Sequence, residues 1–181
     1  YREINELDSA IQSYEKAIVI NANYVEAHYS LGLTFQDLGQ LEKTVISYKK
    51  VLTIKPEFAG MHNNLGNVYR DLNELDAAVK YYEKAIAIKP DFVEAHINLG
   101  NVFRDLKRLD EALASYYRAH ILKPDLDFFL GNLIHTKMYL CIWDELSNNL
   151  NELTNKINNN EKVTDPFSLL ALIDDPELQR K

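Results

Sequence analysis

The sequence predicts an all-α fold: a right-handed α-solenoid of helix–turn–helix repeats, ending in a degenerate helical C-terminal extension. Three observations carry this. Residues 59–92 and 93–126 are identical at half of their 34 positions, and a period of that length marks stacked helix pairs. Apolar residues recur three and four apart, the spacing of one helix face. Pro56, Pro90 and Pro124 then punctuate the chain at 34-residue steps, each denying the residue before it the helical conformation.

Composition bounds the function. The 181 residues are 46% hydrophobic and 26% charged, with a net charge of −7, as in a globular soluble protein. Acidic and basic residues are interleaved, which argues against nucleic acid or an anionic membrane as partner. No apolar run approaches the roughly 18 residues of a bilayer span, and no signal peptide opens the chain. The single cysteine, Cys141, fits a reducing, cytoplasmic compartment; we read it as buried filler near Trp143. Tyr1 opens the chain without a Met, and Lys181 falls in the opening turn of a helix. The expectation is a piece of a longer protein.

Residues 1–24 read as the second helix of a truncated repeat. Ile4, Leu7, Ile11, Tyr14, Ala17 and Ile18 have helical spacing. Ala10, Tyr14 and Ala17 answer Thr44, Tyr48 and Val51, then Ala78, Tyr82 and Ala85, then Ala112, Tyr116 and Ala119, each 34 residues on. Three complete repeats follow at 25–58, 59–92 and 93–126. Each has a first helix ending near Leu38, Leu72 or Leu106 and a turn at Gly39-Gln40, Asn73-Glu74 or Lys107-Arg108. Gly32, Gly66 and Gly100 sit inside first helices, where each costs about 1 kcal/mol of propensity. Repeated at one register, that cost implies close approach of a neighbouring helix.

In residues 127–160 the pattern degenerates, with Ile134 where glycine belongs and Asn158 where proline belongs. Trp143, Leu146, Leu150, Leu153 and Ile157 still make one apolar stripe. Residues 161–181 read as the start of a linker to a downstream domain. Asp165-Pro166 and Asp175-Pro176 each resemble an N-cap followed by proline, opening a short helix over 167–173 and another from Glu177.

Leu31, Leu65 and Leu99, the three glycines, Phe35, Tyr69 and Phe103, Ala78 and Ala112, the tyrosines at 14, 48, 82 and 116, and the three prolines resemble the tetratricopeptide repeat. His28, His62 and His96 depart from its usual Trp, Thr44 from its first Ala and Val51 from its second. In that family the first helices line the concave surface. Positions spaced 4-3-4 stay on one helix face, and these strips read Glu26-Ser30-Leu33-Asp37, Gly60-Asn64-Asn67-Asp71 and Glu94-Asn98-Asn101-Asp105. Asn64, Asn98 and Asn132 form a ladder of 34-residue steps. A carboxamide donates and accepts at once, so it can pair with the backbone of an extended peptide. The candidate peptide-binding residues are therefore Asn64, Asn67, Asn98, Asn101, Asn132, Asp71, Asp105 and Glu94. The alternative is that these asparagines bond within the stack or to water.

No catalytic, metal or cofactor site is expected. First helices of successive repeats stand roughly 10 Å apart, too far for His28, His62 and His96 to meet one zinc at about 2.1 Å each; they are packing positions. Tyr82 and Tyr116 fall in the core by register. Arg70 and Arg104 pair with Asp71 and Asp105. No Gly-rich phosphate loop in a strand–turn–helix setting is visible.

LGNLIHTKMYLCIWD over residues 130–144 and PFSLLALIDDPELQ over 166–179 resemble the junction between repeats and catalytic region in bacterial SPINDLY-like O-linked N-acetylglucosamine transferases. That resemblance implies that the chain is the substrate- or partner-recognition arm of such a protein, without catalysis of its own. A UDP-sugar-dependent glycosyltransferase domain would lie downstream. The asparagine ladder then carries over onto Asn64, Asn98 and Asn132, with Ser30 breaking it. The competing reading is a stand-alone scaffold or adaptor. An adaptor gripping a C-terminal carboxylate needs Lys or Arg on the strips, which hold none. Self-association through exposed solenoid ends is a further expectation.

Overall fold

The computed structural model describes residues 2–124, 129–144 and 146–159. The side chains of residues 2–5, 129 and 132 are outside the described set, as is all of 160–181, where the predicted linker and the helix over 167–173 fall. Regular structure among the described residues is entirely helical: α1 (Arg2–Ile20), α2 (Val25–Asp37), α3 (Leu41–Ile54), α4 (Ala59–Asp71), α5 (Leu75–Ile88), α6 (Val93–Asp105), α7 (Leu109–Leu122), α8 (Phe129–Tyr139) and α9 (Leu146–Asn158). This is the all-α arrangement of helix pairs that the 34-residue period predicts. The chain divides into two compact units, Tyr1–Ala95 and His96–Lys181, taken separately below.

One turn device ends every complete first helix. Gly39, Asn73, Lys107 and Cys141 lie 34 residues apart and have positive φ of 68°, 59°, 62° and 55°. Directly after them, the N–H groups of Gln40, Glu74 and Arg108 donate to the carbonyls of Phe35, Tyr69 and Phe103 at 2.8 Å, and Ile142 donates to Lys137 at 2.9 Å. A left-handed residue followed by this backward hydrogen bond is the Schellman stop, which satisfies carbonyls the helix end leaves bare. It accounts for a correction. Cys141 is exposed rather than buried filler, because its place in the repeat is the left-handed turn residue. Trp143 is corrected with it: 55% exposed, it stands in the loop ahead of α9 and not on that helix's apolar stripe.

Second helices stop at the prolines. Lys55, Lys89 and Lys123 cap them at φ of −126°, −131° and −149°, the extended range forced on a residue before proline.

In the first unit, the core explains the helical glycines. The Tyr48 ring of α3 lies against Gly32 of α2, and the Tyr82 ring of α5 against Gly66 of α4. Both tyrosines are fully buried. A Cβ built on Gly66 would fall 2.5 Å from Tyr82 Cε1, so a side chain there would overlap the ring. His28 and His62, also buried, donate from Nε2 to the carbonyls of Ala22 at 2.9 Å and Pro56 at 2.8 Å. These bonds tie each first helix to the loop before it; only the histidine can donate to a carbonyl.

The second unit repeats the device and then replaces it. The Tyr116 ring of α7 rests on Gly100 of α6. Thirty-four residues on, Ile134 stands for glycine and Leu150 for tyrosine. Ile134 is fully buried with Leu130, Leu153 and Ile157, and Leu150 packs against that cluster. Volume moved from one helix to the other, so this pair keeps a core without the consensus residues.

Candidate peptide-binding strips on the first helices

With the tyrosine, glycine and histidine positions buried, each first helix keeps one uncovered strip. On α2, Glu26 and Asp37 are exposed, Ser30 is half-buried and Leu33 is 38% exposed. On α4, Gly60, Asn64 and Asn67 are half-buried and Asp71 is exposed. On α6, Glu94 and Asp105 are exposed, and Asn98 and Asn101 are half-buried. The α4 strip thus gathers Asn64, Asn67 and Asp71 within the first unit, and the α6 strip gathers Asn98, Asn101 and Asp105 within the second, Glu94 falling in the first. Asn132 lies in α8; its side chain is outside the described set.

The asparagines divide into two kinds. The oxygens of Asn67 and Asn101 accept the Tyr82 and Tyr116 hydroxyls at 2.7 Å. Burial pushes the Tyr82 hydroxyl up to about 12, with Arg70 lowering it and Asp71 raising it by smaller amounts. Tyr116 is raised for the same first reason. These two carboxamides therefore hold the core together as well as facing outward. The Asn64 side chain, by contrast, makes no hydrogen bond to another described residue.

The first complete repeat solves the same need differently. Leu33 stands where Asn67 and Asn101 stand, and the Tyr48 hydroxyl donates instead to Gln36 Oε1 at 3.0 Å. Sequence reasoning missed Gln36 and the core role of Asn67 and Asn101. The available signal was Leu33 in a carboxamide register, with a carboxamide one turn further on.

Charge placement on the strips is also informative. Asp37, Asp71 and Asp105 are each the last residue of a first helix, where the negative end of the helix dipole penalises a carboxylate by a few tenths to about 1 kcal/mol. Arg70 Nη2 stands 3.4 Å from Asp71 Oδ1, both about one-third exposed or more, and such a surface pair contributes little. Three acids at a disfavoured place call for a reason other than helix stability. Among the described residues no group of three or more His, Cys, Asp or Glu is placed to hold a metal, and no helix is long and apolar enough to cross a membrane.

Helix pairs closed by Gly–Tyr contacts, with polar strips on their first helices, define a helical-repeat binding scaffold. The family comparison agrees: the tetratricopeptide repeat matches residues 25–58 and 93–126, and a TPR repeat pattern matches 1–39 and 66–103. The chain belongs to the tetratricopeptide-repeat proteins. Comparison with curated proteins finds no match. Among solved structures, it is similar to MamA at a TM-score of 0.78 and 24% identity, covering 88% of this chain and 93% of that one. MamA from Desulfovibrio magneticus RS-1 follows at 0.73 and 18%, covering 86% and 92%. The first TPR of Spaghetti (RPAP3), bound to the HSP90 peptide SRMEEVD, gives 0.61 and 20%, covering 65% and 93%. These likenesses are of fold.

Proposed function

We propose that the chain is a protein-binding module that holds extended peptide segments on the uncovered strips of its first helices. The observation that carries this is Asn64, half-buried with an uncommitted carboxamide on a helix whose central positions, Asn64 and Asn67 apart, are buried. Its counterpart Asn98 has the same exposure on α6. A carboxamide in this setting reads peptide backbone without demanding one side chain.

Charge narrows the ligand. The strips carry Glu26, Asp37, Asp71, Glu94 and Asp105 and no Lys or Arg. The peptide held by the Spaghetti domain, SRMEEVD, is acidic, and like charges disfavour such a peptide here. Neutral or basic segments fit. Mapping amide shifts as a neutral peptide mixture is added tests the placement: changes along Asn64, Asn67 and Asp71 support it, and changes confined to second helices contradict it.

A finer reading follows from residues 130–144 and 166–179, whose sequence resembles the SPINDLY-like junction. In it, the module is a cytoplasmic recognition arm that delivers protein substrates to a glycosyltransferase region. The test is the gene beyond Lys181. Nucleotide-sugar transferase sequence there supports the arm, and its absence leaves a stand-alone adaptor.

A further inference from the structure

One spot in the first unit departs from the repeat at three registers at once. Tyr81 of α5 stands where the other second helices carry Ser13, Ser47 and Ser115. Tyr69 of α4 stands where Phe35 and Phe103 stand, and Lys49 of α3 where Glu15, Glu83 and Tyr117 stand. The structure brings the three departures together. The Tyr69 and Tyr81 rings stack with centres 5.2 Å apart and planes at 14°. Lys49 Nζ lies 5.5 Å from the centre of the Tyr69 ring, and Lys84 Nζ 5.6 Å from that of Tyr81. The Lys49 ammonium also donates to the Tyr69 hydroxyl, which holds it above the ordinary lysine value. Ring faces attract ammonium groups, so two flexible lysine heads are anchored on two helices while both residues stay exposed.

The surroundings are basic and unpaired. Lys80 precedes Lys84 by one turn of α5, a like-charge spacing that weakens a helix. Lys50 holds the Lys84 register on α3. Among the described residues, Lys50, Lys80 and Lys84 make no ion pair. Ile46, one turn before Lys50, is 62% exposed, and Lys80, Tyr81 and Lys84 line a shallow groove. Serine and phenylalanine close the same registers elsewhere in the chain, so packing alone does not ask for the stack.

We infer that α3 and α5 carry a second docking surface, separate from the strips, and that its occupant is an acidic amphipathic helix of a partner protein. Lys80 and Lys84 set two cations one helical turn apart, and a partner helix answers them with carboxylates at the same i, i+4 spacing. Ile46 and the Tyr81 ring take its apolar residues. That apolar contact selects a protein over a nucleic acid, and Glu83, exposed between the two lysines, repels a uniform polyanion. Unstructured acidic peptides hold their carboxylates in no fixed row and gain little here, so helicity is part of the recognition.

The test is titration of the whole chain with a labelled, lactam-stapled helical peptide whose glutamates repeat four apart beside a row of leucines. The expected result is saturable binding that weakens as salt is raised, with amide shifts at Ile46, Lys49, Tyr81 and Lys84. Lys49→Gln/Lys84→Gln should weaken it about tenfold, since each exposed ion pair contributes modestly. Tyr81→Ser puts at 81 the residue found at this register elsewhere in the chain; with its helical spectrum unchanged, it should weaken binding at least about threefold. The Asn64→Ala/Asn98→Ala chain should bind the stapled helix as the parent does, which keeps this surface distinct from the strips. Equal binding of a glutamine version of the peptide, indifference to both Lys49→Gln/Lys84→Gln and Tyr81→Ser, shifts confined to the first-helix strips, or tighter binding of a short DNA duplex by the same lysines would each overturn the assignment.

Discussion

The Tyr82 hydroxyl donates to the Asn67 carboxamide at 2.7 Å while its ring covers the bare backbone of Gly66 one residue earlier. Two adjacent residues of α4 and one of α5 thus make a lock that needs no glycine freedom, only glycine's lack of a side chain. Tyr116, Asn101 and Gly100 make the same lock in the second unit. Where the tyrosine becomes Leu150, the glycine becomes Ile134 and the asparagine becomes His135. With no hydroxyl to satisfy and no ring to admit, the other two requirements lapse.

Gly66→Ala sets two effects against each other. Helix propensity favours alanine by about 1 kcal/mol, but the new Cβ would stand 2.5 Å from a rigid, fully buried ring, and overpacking of that kind costs about 1–3 kcal/mol. The clash wins. Urea denaturation should show net destabilisation; a gain in stability would place Tyr82 elsewhere.

Tyr82→Phe removes the hydroxyl and keeps the ring. The expected loss is about 0.5–1.5 kcal/mol, the net worth of one hydrogen bond. In a double-mutant cycle with Asn67→Ala, the two losses should fail to add, because both remove the same bond. Strict additivity would deny the lock.

The fold was legible in the sequence because each packing rule recurs at one register. Glycine beneath tyrosine, proline after the second helix and a left-handed turn residue all repeat at the 34-residue period. The strips were legible for the same reason, since helical spacing alone says which side chains share a face. The double duty of Asn67 and Asn101 was not, because their partner lies 15 residues away on another helix and no local pattern announces a tertiary hydrogen bond. Cys141 was misread through its chemistry: cysteine is usually buried, and that habit was weighed above a register shared with Gly39, Asn73 and Lys107. Trp143 was misread through spacing that continues past the true start of α9.

Cys141→Gly should stabilise the chain by up to about 1 kcal/mol, since a non-glycine residue in the left-handed region is strained and glycine is not. The expected readout is a higher melting temperature with an unchanged helical spectrum. A lower one would mean the thiol makes a contact worth more than the strain.

Alkaline pH should unfold the protein through its buried tyrosines. The Tyr82 hydroxyl has an ordinary value of 10.0 and is held at about 12 in the fold; Tyr48 is raised in the same direction by burial. Below pH 10 both folded and unfolded chains keep the proton. Above it the unfolded chain ionises first, so stability falls progressively between those two values. Chemical denaturation at several pH values checks this, and constant stability across the interval would show that these hydroxyls reach solvent.

The central claim is that the carboxamides at 64 and 98 read peptide backbone. The direct measurement compares binding of an unbiased peptide library to the parent chain and to the Asn64→Ala/Asn98→Ala variant, alongside their melting temperatures. The account predicts binding broad in sequence, poorest for acidic peptides and weakened in the variant at temperatures well below its melting, where the chain is still folded. Binding to one narrow motif, equal in both proteins, would contradict it.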